Sequence, residues 1–145
     1  MDADLLHPLM HKMYLKALQD LGSGWKGYSG YRSFEEQSEL FKQGRSKEGK
    51  IVTRAMAGFS AHNYGIAVDM ADFSLKDPWS ANYDALSKWC VDNKMIWGGN
   101  FHIVDKPHIQ LDLGISFLDL REKLKLYGKK EVDRLISLYG AKYGV

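Results

Sequence analysis

The stretch Ser60–Asp69, SAHNYGIAVD, runs on into MADF and decides how this chain is read. His62 lies in a loop of small and polar residues. Gly65 interrupts that loop. Ile66, Val68 and Met70 then alternate with Ala67, Asp69 and Ala71. Alternation at a period of two predicts a strand with two unlike faces. Asp69 projects from a face otherwise lined by alanine, which leaves room beside its carboxylate. Taken alone, His62 and Asp69 have two readings: a pair of metal ligands, or a packed histidine near an ordinary strand acid.

The segments around this stretch predict an α+β domain. Pro8–Leu21 has an apolar stripe at helical spacing, with Pro8 in the first turn and glycines after the end. Trp25 onward predicts a short strand leading into a tight loop. Ser33 to Gln43 predicts a helix, because Ser33 and Glu36 stand at capping-box spacing. A further helix is expected to start at Pro78 and run to Val91. In PHIQLDL, His108, Gln110 and Asp112 share one side of a strand, and Ile109, Leu111 and Leu113 the other. The segments SFLDLREKLKLY and KKEVDRLISLY each read as a helix closed by glycine. We therefore expect an antiparallel sheet with flanking helices. Residues 1–115 are expected to form the main domain, which carries the candidate site. Residues 116–145 are expected to be a helical extension, packed on that domain or contacting a surface or partner outside it.

Composition narrows the function. The chain has 145 residues, 45% hydrophobic and 26% charged, as expected of one globular domain. A formal charge of +2 is too small to mark a nucleic-acid binder, and the Lys123–Lys130 cluster adds little to that idea. The lone cysteine, Cys90, forms no internal disulfide and sits in a helix-like setting that predicts a core thiol. No apolar run is long enough to span a bilayer, so no stable membrane insertion is expected. No export signal is visible at the acidic start, which predicts synthesis in the cytoplasm.

There are five histidines. His7 and His11 are spaced for one helix face but lack a third ligand nearby, which favours packing or surface roles. His102 is read as a structural or surface residue. His108 is different. With His62 and Asp69 it completes two imidazoles and a carboxylate, a donor set suited to catalytic zinc with a position left for water. Asp105, three residues earlier, has two readings: a general base for that water, or a turn acid beside Lys-Pro.

Tyr31–Ser33 (YRS), Ser60–Asp69 (SAHNYGIAVD), Trp97–Gly99 (WGG) and Asp105–Gln110 (DKPHIQ) resemble, in order, the motifs of the LAS-type zinc peptidases. The resemblance covers most of the chain from Leu6 to about Gly114. It implies the small hedgehog/D,D-peptidase-like fold. It makes His62, Asp69 and His108 the ligands of Zn2+ and Asp105 the general base. Arg32 would bind a substrate carboxylate or steady the reacting carbonyl. Gln37 is expected to face the site. Ser60 is expected to bond substrate or to fix the loop that carries His62, and Trp97 to form a pocket wall or a part of the core. Gln110 is expected to orient a ligand.

HNYG, DKPHIQ and the upstream IVTRAMAGFS look most like phage endolysins of the L-alanyl-D-glutamate peptidase type. That implies hydrolysis of peptidoglycan stem peptides by a monomer released to the wall through a separate pore protein. Two alternatives are a D-alanyl-D-alanine carboxypeptidase or dipeptidase, and a metal-stabilised wall-binding module without turnover.

Overall fold

The computed structural model describes residues 1–22 and 24–144. Five helices surround one antiparallel sheet: α1 Pro8–Leu21, α2 Phe34–Lys42, α3 Tyr83–Asp92, α4 Phe117–Tyr127 and α5 Lys129–Tyr139. The strands are β1 Trp25–Ser29, β2 Ala67–Asp72, β3 Met95–Trp97 and β4 His108–Leu111, in the order β1-β2-β4-β3. The fold is α+β, as the alternating and helical patterns predict.

Sheet register sorts the side chains. Val68 lies opposite Ile109 and Asp69 opposite His108. Neighbours opposite one another point the same way, and successive residues point to opposite faces. One face thus carries Val68, Met70, Ile109 and Leu111, which join Met10, Met13, Leu86 and Cys90 in the buried core. The other face carries Asp69 and His108. Burial pushes the Cys90 thiol up to about 12, so this cysteine is a core residue and not a nucleophile.

The helix ends follow the sequence in most places. Ser33 caps α2, and the reciprocal bonds with Glu36 are both present. One expectation fails. Pro78 does not begin a continuous helix. Pro78–Ser80 is a single 3-10 turn capped by the Asp77 carboxylate. Ala81 is extended, and α3 starts afresh at Tyr83 under an Asn82 cap. Two Asx caps in quick succession stop one helix and start the next.

His7 has a structural role. Its Nδ1 accepts from the Leu9 amide at the start of α1, and its Nε2 donates to the Asp133 carbonyl of α5. The residues beyond 115 share the core: Leu120, Val132, Ile136 and Tyr143 are buried in the same cluster as Leu6, Leu9 and Leu113. The Tyr143 hydroxyl accepts from the Asp112 amide and donates to the Lys94 carbonyl. Ile136→Ala is expected to cost about 2–5 kcal/mol in urea unfolding. Circular dichroism and tryptophan fluorescence should report the same single transition.

Candidate metal centre and active site

Three elements bring the site together. His62 sits on the 3-10 turn Ala61–Tyr64, while Asp69 and His108 face each other across β2 and β4. The turn is held at both ends. Ser60 Oγ accepts from the His62 amide, and the Asn63 side chain reaches back to the Ser60 amide. Gly65 closes the turn in the left-handed region, at φ 67°. A Cβ there would lie 2.8 Å from the His7 amide nitrogen, so glycine is required on two counts. Behind the turn, Tyr64 stacks on Phe117 of α4 with ring centroids 6.2 Å apart. Its hydroxyl donates to the Gly58 carbonyl.

Hydrogen bonds set the tautomers. His62 Nδ1 lies 2.7 Å from the Gly30 carbonyl, so it carries the proton and leaves Nε2 with a lone pair. His108 Nε2 lies 2.8 Å from Gln110 Oε1, which leaves the Nδ1 lone pair free. Both free nitrogens face the same oxygen: His62 Nε2 and His108 Nδ1 are each 3.4 Å from Asp69 Oδ1. That spacing is too long for a charge-assisted hydrogen bond. Among the described residues, Asp69 Oδ1 is the one buried side-chain polar atom with no hydrogen-bond partner.

Three lone pairs converging without a proton between them form a cation site. The three donor atoms lie within 4.8 Å of one another. Metal–ligand bonds of about 2.0–2.1 Å in a tetrahedron set ligand separations of about 3.3–3.4 Å, which matches the two contacts to Asp69. The residues fit a divalent ion of the zinc type.

The electrostatics agree. Burial alone would push Asp69 up, but His108 and His62 outweigh it and hold the carboxyl well below the usual range. For His108, burial pulls down and Asp69 pulls up, and the balance is upward. Asp105 is half exposed, with Oδ2 3.8 Å from His108 Nδ1. Partial burial raises its pKa, and the Asp69 charge adds to this against opposition from His108, His62 and Arg32. A carboxyl raised above its ordinary value beside a candidate ion site is suited to accept a proton and return it. The Tyr83 phenol is raised by burial and by the carboxylates of Asp77, Asp105 and Asp69.

A family profile described as VanY, D-alanyl-D-alanine carboxypeptidase, matches residues 6–98. The chain belongs to the VanY family. It is also 42% identical over 96 residues to the peptidoglycan L-alanyl-D-glutamate endopeptidase CwlK of Bacillus subtilis. That match covers 57% of each protein, so the chain spans a little over half the length of this curated relative. Among solved structures it is similar to VanYB in complex with D-alanine-D-alanine, at 18% identity and a TM-score of 0.46. That likeness covers 83% of this chain and 75% of VanYB. The VanY match stops at Gly98, so it contains His62 and Asp69 but neither Asp105 nor His108. The sheet register supplies His108.

The remaining expected site residues fall behind the front line. Arg32 donates from Nη1 to Gln37 Oε1 and from Nη2 to Ser29 Oγ. Gln37 was expected to meet substrate, but it is fully buried and bonded to Arg32, Thr53 and Ala55. Its place on the inward side of α2 makes it a positioning residue. Ser60 Oγ is engaged in capping the His62 turn. Trp97 Nε1 donates to the Lys106 carbonyl and so ties down the loop carrying Asp105. His102 is exposed, and nothing brings it into the donor set.

Sequence reasoning missed Gly98. A Cβ there would collide with the Asp105 carbonyl oxygen and the His108 Cβ. The glycine also accepts from the Asp105 amide. Its only signal was the Gly-Gly pair after Trp97. Gly98→Ala is expected to lower stability by about 1–3 kcal/mol in urea unfolding. Gln110→Leu, which leaves every donor in place, is expected to weaken Zn2+ binding about 10–100-fold by calorimetric titration.

Proposed function

We propose that the chain is a zinc-dependent endopeptidase that hydrolyses the L-alanyl-D-glutamate bond of peptidoglycan stem peptides. The observation that carries the metallopeptidase chemistry is the convergence of His62 Nε2, Asp69 Oδ1 and His108 Nδ1 with Asp105 beside them. The choice of bond is supported by the 42% identity to CwlK, an L-alanyl-D-glutamate endopeptidase.

His62, Asp69 and His108 would hold the ion. When bound, it supplies Lewis acidity, polarising a carbonyl and making water more acidic. Asp105 then takes the proton of the attacking water and passes it to the departing nitrogen of D-glutamate. Arg32 is fixed by Gln37 and Ser29 and acts electrostatically on Asp105, and its remaining N–H donors would serve an oxyanion or a substrate carboxylate. Gly30 and Gln110 keep both imidazoles in the tautomer that presents a lone pair.

The VanY family description favours a second reading, a carboxypeptidase releasing terminal D-alanine with the same residues in the same roles. Mass spectrometry of digested sacculi separates the two. New amino-terminal D-glutamate supports the proposal, and released D-alanine overturns the choice of bond. Asp105→Ala should keep its Zn2+ and lose about 10²–10⁴-fold in turnover. A variant that keeps wild-type turnover removes Asp105 from the mechanism.

A further inference from the structure

An exposed aromatic pair stands beside the site with no part in it. Tyr28 is 61% exposed and Trp79 is 42% exposed. Their rings meet edge to face, with centroids 5.2 Å apart and planes at 76°. Both are held in place. Tyr28 occupies the irregularity in β1 between Gly27 and Ser29. Trp79 sits in the Pro78–Ser80 turn, where the Asp77 carboxylate accepts from the Trp79 amide and the Ser80 hydroxyl. The pair is preordered apolar surface, and such surface in water marks a binding position.

Its location relates it to the reaction. Tyr28 immediately precedes Ser29, which lies opposite Asp69 and accepts from Arg32 Nη2. Neighbouring strands are about 4.8 Å apart, so the Ser29 position next to Tyr28 lies about one strand's width from Asp69. The Pro78–Ser80 turn that carries Trp79 packs against β2, the strand that carries Asp69.

We propose that Tyr28 and Trp79 form a subsite for a pyranose ring of the glycan strand that bears the scissile stem peptide. This rests on the endopeptidase reading above. In that substrate L-alanine is joined directly to the lactyl group of the muramoyl sugar. An extended residue spans about 3.5 Å, so L-alanine and the lactyl unit place the sugar about 7 Å from the scissile carbonyl. Tyr28, one residue along the chain from the Ser29 that pairs with Asp69, stands at about that range from Asp69. A pyranose offers a C–H face and a hydroxyl rim. An exposed ring covers the first and leaves the second wet. Asp77 and Ser80, at the edge of Trp79, offer oxygen acceptors to the hydroxyls.

The test uses the full chain, the Tyr28→Ala/Trp79→Ala double variant, and a Tyr28→Phe/Trp79→Tyr variant that keeps both rings. Each is titrated, by NMR, with the peptide-free disaccharide of N-acetylglucosamine and N-acetylmuramic acid. Each is also assayed on the stem peptide with and without that disaccharide attached. Disaccharide binding should be present in the wild type and the ring-preserving variant and lost in the alanine variant. The alanine variant should lose about tenfold in kcat/KM on the sugar-linked peptide and nothing on the sugar-free one. Equal loss on both substrates, loss on neither, or no disaccharide binding by the wild type overturns the subsite. Failure of the endopeptidase reading has a separate signature: the wild type cuts neither substrate between L-alanine and D-glutamate, and the disaccharide titration still decides the subsite.

Discussion

The structure turns on one unsatisfied oxygen. Asp69 Oδ1 is buried between two imidazole nitrogens at 3.4 Å and has no hydrogen-bond partner. A buried carboxylate left in this state is costly unless a cation compensates it. The surrounding bonds all preserve that arrangement. Gly30 and Gln110 occupy the other nitrogen of each imidazole, so neither ring can turn to satisfy itself elsewhere. The polar network around Asp69 is complete except at the point where an ion fits.

That constraint extends outward through the fold. The β2–β4 register puts Asp69 and His108 opposite each other, and a slip of one residue would send Asp69 into the apolar core. The His62 turn has no strand to set its position. It depends on the Ser60 and Asn63 caps, on Gly65, and on Tyr64 packed against Phe117. The C-terminal helices therefore back the candidate metal site as well as the core. Through the His7 bond to Asp133, α5 also anchors α1 where it meets the Gly65 carbonyl.

A second layer positions Arg32 and Asp105, the groups proposed to act on substrate. Gln37, fully buried, holds the Arg32 guanidinium, and Ser29 holds it from the sheet. Trp97 and Gly98 do the same for the Asp105 loop, one through a hydrogen bond and the other by lacking a side chain. Of these, Gln37 and Trp97 were expected from sequence to meet substrate, and Ser29 and Gly98 were not singled out. Polarity and position in a motif show that a residue serves the site. They do not show whether it faces the groove or supports a neighbour from behind.

Local chemistry was legible in the chain itself. The capping box at Ser33, the breaks at Gly22 and Gly65, the strand alternation around Asp69 and His108, and the core position of Cys90 all follow from short-range pattern. The candidate donors His62, Asp69 and His108 were legible too, from a loop histidine, a carboxylate and an imidazole at alternating-strand positions, and the motifs they fall in. Tertiary structure alone decided the rest. The break after Pro78–Ser80 is the exception, since the Asp77 and Asn82 caps that make it are local. His7 became a tie between helices because a carbonyl of α5 reaches it. His62 joined two residues of the sheet because a turn packed from behind delivers it there. Spacing along a chain constrains which residues can be ligands, but lone pairs meet only where long-range packing brings their atoms within a few ångströms.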